Sequence, residues 1–355
     1  MSRLDDRGIY ALDASGMLDH AAALGTELLR AWEATDELQL PPGAPEAANV
    51  VVAGMGGSAT GGDYFAALCQ PSAEVPVIVN RGYFLPNFVS DRTLVVISSY
   101  SGNTEESLAC YDDAWKRGAM ILAVTTGGKL AERAGIDGVP LFTLTYRSAP
   151  RAALAHSLAP LLRLGARLEL TPVDGADVAA AATLHDTIVT HELGEDVPTG
   201  RNPAKQVAEA LHGRVPLVLG AEHLASVASR FKNQLAENGK MLGAADVLPE
   251  ANHNLIVGLA TARQAGASVS LVTLESELYD ERVRLRFDAT ASLFEEAGVP
   301  VHRLHVRGAR RLEQLMIGTA WGDYVSCYVA LLNGTDPSPV PQIDRLKAVL
   351  AAAPR

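Results

Sequence analysis

Short apolar runs rich in β-branched residues alternate along this chain with longer stretches whose apolar residues recur at helical spacing. The short runs predict strands over 49–53, 75–79, 94–97, 120–124 and 139–144, and again over 215–219, 245–248, 268–274 and 299–306. Between them, helical spacing predicts helices through Tyr64, Phe65 and Leu68, through Leu108, Tyr111 and Trp115, and over 130–134 and 152–164. In the second half it predicts helices through Leu224, Val227, Ala228, Phe231 and Leu235, and over 282–297 and 313–332. Strands alternating with helices of ordinary length imply parallel, doubly wound sheets, an α/β fold. Helical spacing over 12–36 predicts one or two leading helices, and a proline-rich break at 40–45 separates them from the first strand. The pattern divides the chain into an N-terminal helical segment (1–48), a first α/β domain (49–165), a helical connector (166–203), a second α/β domain (204–335) and a C-terminal helix (336–355).

Two strand ends in the first half carry candidate chemistry. Residues 94–97 stop abruptly in Ser98-Ser99-Tyr100-Ser101-Gly102-Asn103-Thr104, and a helix follows with Glu105 and Glu106 in its first turn. Ser101 or Asn103 can cap that helix. A strand–turn–helix unit presents free N–H groups at the helix N-terminus, where an anion is favoured. Ser98, Ser99, Ser101 and Thr104 add hydroxyls, and no Lys or Arg joins them, which suits a small phosphate ester held by neutral donors. The structural alternative is an ordinary capped turn with solvated hydroxyls. The strand at 49–53 ends in Gly54-Met55-Gly56-Gly57-Ser58-Ala59-Thr60, whose glycines let the backbone approach a ligand. That spacing also meets a loose dinucleotide fingerprint, but the next strand ends in Asn80-Arg81, not in the acidic residue that would hold a ribose, so a nicotinamide cofactor is disfavoured. Both loops fall beyond the carboxyl ends of strands, where ligands bind in open α/β sheets. The second half repeats the strand–helix rhythm without a matching hydroxyl loop, a pattern that points to duplication with one half losing the phosphate role.

Composition narrows the classes. A net charge of −11 with no offsetting basic block argues against nucleic acid, and it means that local donors must hold any anion. Cys69, Cys110 and Cys327 lie far apart, with no CxxC and no clustered His, which predicts a reducing cytoplasmic setting and no structural zinc. No apolar run reads as long enough to span a bilayer and no signal peptide is visible, so no membrane partner is expected.

Gly54-Met55-Gly56-Gly57-Ser58, Ser98–Glu106, Glu237-Asn238 and Pro249-Glu250-Ala251-Asn252-His253-Asn254 together resemble the bifunctional phosphoglucose/phosphomannose isomerase family, over nearly the whole chain from about Asn49. The serine-rich loop alone marks any sugar-isomerase (SIS) domain; the Glu-Asn pair with the Glu-Ala-Asn-His-Asn segment is more specific. The resemblance implies two doubly wound SIS domains of flavodoxin-like sandwich form. It implies phosphate binding by Ser99, Ser101 and Thr104, with Gly57 and Ser58 beside the sugar. It implies Arg151 near the reacting carbons, Glu237 as the base, His253 as the ring-opening residue and Lys347 as a closing-helix lysine. It implies a homodimer in which the histidine reaches the partner's site, a hexose-6-phosphate substrate and no cofactor or metal. One position departs: relatives commonly carry Glu after His-Asn, and here it is Leu255.

Aldose–ketose isomerisation moves a proton between C1 and C2 through a cis-enediolate. It needs one base that takes and returns the proton and a cation that holds the developing oxyanion. Glu237 and Arg151 have those chemistries, and a histidine near neutral pKa suits the O5-to-O1 proton transfer that opens the pyranose. The expected activity is interconversion of glucose-6-phosphate or mannose-6-phosphate with fructose-6-phosphate. The alternative is a sugar-phosphate-binding sensor that has lost catalysis, for which Leu255 is the best support. An amidotransferase isomerase half ranks lower, because no N-terminal cysteine-nucleophile domain precedes the first strand.

Overall fold

The computed structural model of the chain describes residues 2–261 and 268–352. Its first half is organised on a parallel sheet of five strands: β1 (Asn49–Gly54), β2 (Val77–Asn80), β3 (Thr93–Ser98), β4 (Met120–Thr125) and β5 (Leu141–Thr143), in the order β2-β1-β3-β4-β5. The second half holds a parallel sheet of four: β6 (Val215–Ala221), β7 (Ala244–Leu248), β8 (Val269–Glu275) and β9 (Val301–His305), in the order β7-β6-β8-β9. The first order is the flavodoxin-like one, and the second repeats it without a fifth strand.

Around the sheets lie α1 (Met17–Ala34), α2 (Gly56–Cys69), α3 (Glu105–Lys116), α4 (Gly128–Asp137), α5 (Leu154–Arg167), α6 (Gly175–Ile188), α7 (Pro203–Leu211), α8 (Ala225–Glu237), α9 (Glu281–Glu296), α10 (Arg311–Leu332) and α11 (Pro341–Ala352). The run Val50-Val51-Val52-Ala53 is buried on both faces, as a central parallel strand requires. Alternation then divides it: Val50 and Val52 join the large core that continues into the second domain, while Val51 and Ala53 face a smaller core under α3 and α4.

Helix α10 corrects the expectation that no run is long and apolar enough to cross a bilayer. Its 22 residues meet that test by length and composition, yet the whole apolar window is buried inside the protein. It packs against α6, α7 and α8 at the centre of the molecule, and a helix that is apolar all round is what such a position demands. Helix α11 is the opposite case, exposed along its described residues, including Ile343, Leu346 and Lys347.

The start of α3 also departs from expectation. Its N-cap is Thr104, whose side chain makes no capping bond, and neither Ser101 nor Asn103 caps it. Asn103 instead turns aside, donating to the Ser101 carbonyl at 3.0 Å and accepting from the Lys129 N–H at 3.2 Å. The start of α3 is therefore not closed by a capping bond from Thr104, Ser101 or Asn103.

Candidate active site

The loop after β3 is tightened by Gly102 at φ +66°, where an added Cβ would lie 1.8 Å from the Gly127 carbonyl oxygen; only glycine fits. The turn draws Ser99 Oγ to within 3.1 Å of Thr104 Oγ1, to which it donates. Ser99 is buried, Thr104 is half-buried and Ser101 is exposed. Ser58, buried at the first turn of α2, accepts from the Tyr100 N–H at 3.2 Å, which joins the glycine-rich loop to the hydroxyl loop. Gly57 lies flush against the turn that carries Arg151: a Cβ there would meet the Pro150 carbonyl oxygen at 2.7 Å.

Arg151 is the centre of the arrangement. Only 4% of it is exposed. Its Nε donates to Asn238 Oδ1 at 2.7 Å, and its Nη2 donates to the carbonyls of Pro337 at 2.9 Å and Ser338 at 2.8 Å. Its Nη1 stands 3.6 Å from Glu237 Oε2, leaving this edge of the guanidinium as the one paired with a carboxylate. Burial lowers the Arg151 pKa from its ordinary value, and the charge of Glu237 opposes that shift. Glu237 ends α8, and its side chain is 31% exposed, so it faces both the arginine and open space.

Three further groups hold this pair. Asn238 is fully buried and donates to Ser326 Oγ at 3.0 Å, which fixes the amide that orients Arg151. Arg230 donates to the Arg151 carbonyl at 3.1 Å and to Asp323 at 3.0 Å, and Asp323 also accepts from Gln234. Lys240, at φ +53°, donates to the carbonyls of Glu237, Pro337 and Pro339. Partial burial of its amine and the nearby Arg151 charge lower its pKa. None of these three groups was singled out as a site residue from the sequence. A signal existed for Asn238, half of the Glu-Asn pair, and for Asp323, the partner of Arg230, a carboxylate in the middle of an apolar helix.

The structure thus brings Gly57, Ser58, Ser99, Thr104, Arg151 and Glu237 into one chain of contacts that crosses from the first domain to the second. Ser101 stands at the exposed lip of the same loop. His253 and Lys347 do not join these contacts in this single chain, among the described residues. His253 ends a short turn (Glu250–His253) and is exposed; Lys347 is exposed on α11. Neither makes a hydrogen bond or ion pair with Arg151 or Glu237 among the described residues. Leu255 is half-buried and packs against the main core, so its position is apolar in this protein.

A cavity of about 480 Å³ lies away from these residues. It opens beyond the carboxyl ends of β8 and β9, and Glu275, Glu277 and Asp288 line it together with Arg284, Arg303 and Arg307. Those charges answer each other: Arg303 chelates Glu275 at 2.6 and 3.0 Å, and Arg284 pairs with Glu277 at 3.0 Å. The contact chain through Arg151, not this cavity, places a buried guanidinium beside a partly exposed carboxylate. Among the described residues, no group of three His, Cys, Asp or Glu side chains is placed to hold a metal ion.

Residues 200–350 match the family described as the bacterial phospho-glucose isomerase C-terminal SIS domain. The chain shares 37% identity with the bifunctional phosphoglucose/phosphomannose isomerase of Caldicellulosiruptor bescii, over 94% of this chain and 99% of that one. It shares 32% with the protein of the same name from Aquifex aeolicus, over 85% and 90%. In fold it is similar to the crystal structure of a hypothetical protein from Thermus thermophilus, with a TM-score of 0.71 over 97% of this chain and 92% of that one at 18% identity. With 37% identity to the Caldicellulosiruptor bescii enzyme running almost the full length of both chains, the protein belongs to the bifunctional phosphoglucose/phosphomannose isomerase family.

Proposed function

We propose that this chain is an aldose–ketose isomerase that interconverts glucose-6-phosphate or mannose-6-phosphate with fructose-6-phosphate. The observation that carries the reading is the Arg151–Glu237 pair, 3.6 Å apart, tied through Gly57 and Ser58 to a loop of neutral hydroxyl donors. In this reading Ser99, Ser101, Thr104 and backbone N–H groups at the start of α3 hold the phosphate. Glu237 takes the proton from C1 or C2 and returns it to the neighbouring carbon. Arg151 holds the enediolate oxygens, with its charge fixed in place by Asn238 before substrate arrives. An arginine in that role supplies the positive charge that a metal would otherwise provide.

A glucose-6-phosphate and a mannose-6-phosphate differ only at C2, and an enediolate that turns about C2–C3 serves both. His253 moves the proton that opens the ring, and Lys347 acts from the closing helix. Their exposure in one chain fits residues that enter the site of a second copy, so the working unit is a homodimer with shared sites. The cytoplasm is its compartment; the three cysteines are free and buried, as a reducing environment allows.

Incubation with fructose-6-phosphate in deuterated water tests the reading. The expected products are aldose phosphates carrying deuterium at C2. Saturable binding without exchange or product would make the protein a sensor instead.

A further inference from the structure

Tyr100 reaches the ends of four neighbouring strands at once. Its N–H donates to Ser58 Oγ in the first turn of α2, which follows β1. Its carbonyl accepts from the Thr126 N–H at 3.0 Å and the Thr126 hydroxyl at 2.7 Å, after β4. Its phenol crosses to the segment after β5, donating to the Tyr146 carbonyl at 2.8 Å and accepting from the Ser148 N–H at 2.9 Å. The main-chain bonds are available to any residue at this position. The phenol bonds are not: phenylalanine would fill the same space and bridge nothing.

Residues 145–149 form neither strand nor helix, yet they deliver the chain to the short turn Pro150–Ala152 that carries Arg151. On the far side of Arg151, its carbonyl is held by Arg230 and thereby by Asp323. On the near side, the tyrosine hydroxyl supplies both bonds that residues 145–148 make from their main chain to a side chain outside the segment, among the described residues. The ring of Tyr146 adds a stacked contact with His156 at 4.5 Å and a bond to His20 Nδ1 at 2.7 Å, but these hold a side chain, not the backbone.

We infer that the Tyr100 hydroxyl is a positioning residue that fixes the spacing between the phosphate loop and Arg151. The inference rests on the isomerase reading above. A hexose phosphate gripped at its phosphate end presents C1 and C2 at a set distance, and the guanidinium must stand there before the proton moves. Misplacement of such a group by about 1 Å costs on the order of 10²-fold in rate. The tyrosine therefore acts on turnover and on which face of C2 receives the proton, while the phosphate grip stays intact.

The test compares the full-length wild type and Y100F with fructose-6-phosphate, measuring kcat, KM, inhibition by inorganic phosphate, the initial ratio of glucose-6-phosphate to mannose-6-phosphate, and the thermal midpoint. Turnover by the wild type reports on the isomerase reading; the difference between the two proteins reports on the inference. We expect kcat to fall by about 10- to 100-fold, KM and phosphate inhibition to stay within about twofold, and the product ratio to shift. A merely structural role would lower the thermal midpoint and the active fraction and leave the ratio of products untouched. That outcome, or wild-type kcat and ratio in Y100F, overturns the inference.

Discussion

The loop after β3 and the loop after β8 hold the same place in two sheets of the same strand order, and they have opposite characters. The first offers Ser98, Ser99, Ser101 and Thr104, and its helix starts without a side-chain cap. The second runs Glu275-Ser276-Glu277-Leu278-Tyr279-Asp280, and Asp280 caps its own helix by accepting from the Arg282 N–H at 2.8 Å. A carboxylate already occupies the place where an anion would sit. Behind it, Ser276 donates to Gln314 Oε1, which His223 Nε2 also contacts at 2.8 Å, so the loop is bound into the protein. One helix N-terminus has no bond from its N-cap side chain, and the other is closed by its own aspartate. Anion binding at a strand–turn–helix unit thus depends on what the loop withholds as much as on what it supplies.

The comparison predicts a hierarchy of effects. The largest belongs to Glu237, the carboxylate that the first loop's ligand would meet across the domain boundary. Glu237→Gln should lower kcat by about 10²–10⁴-fold while fructose-6-phosphate still binds, as calorimetry can measure; near-normal turnover would remove Glu237 as the base.

The next effect belongs to the second loop and concerns stability. Burial lowers the His223 pKa to about 4, so the folded protein keeps this histidine neutral where the unfolded chain protonates it. Between about pH 6.5 and 4 the unfolded state binds more protons, so stability falls on acidification across that window and is unaffected by this group above it. The loss is on the order of 3 kcal/mol across the whole window. Urea unfolding at pH 7 and pH 5 should show it, and His223→Gln should flatten the difference.

A smaller pair of changes exchanges the characters of the two loops. Thr104→Asp should weaken hexose-phosphate binding by about tenfold or more, since like charges about 4 Å apart near a surface repel by up to about 4 kcal/mol. The same change should raise stability by about 0.5–1 kcal/mol by capping α3. Asp280→Ala should cost about 1 kcal/mol of stability and leave kcat and KM unchanged. Equal effects of the two substitutions on KM would erase the distinction.

The strands and most helices were legible because burial on both faces leaves a continuous β-branched run, and one-sided burial leaves a 3.6-residue rhythm. The hydroxyl loop was legible because its chemistry is local. The cap of α3 was not: Ser101, Asn103 and Thr104 are all suitable residues, and only the contact of Asn103 with Lys129 turns it away. The way Arg151 is held was hidden: Asn238 and Asp323 stand out in the sequence, but nothing there ties them, Arg230 or the carbonyls of Pro337 and Ser338 to Arg151, because they come to it from distant segments. For α10, an apolar run reads the same whether lipid or protein surrounds it.

The most direct measurement is a crystal structure with a hexonate phosphate that cannot isomerise. The account predicts its phosphate against Ser99, Ser101 and Thr104 at the start of α3, with the carboxylate end between Arg151 and Glu237. A phosphate held by Arg284, Arg303 and Arg307 in the second domain, with Arg151 untouched, would contradict it.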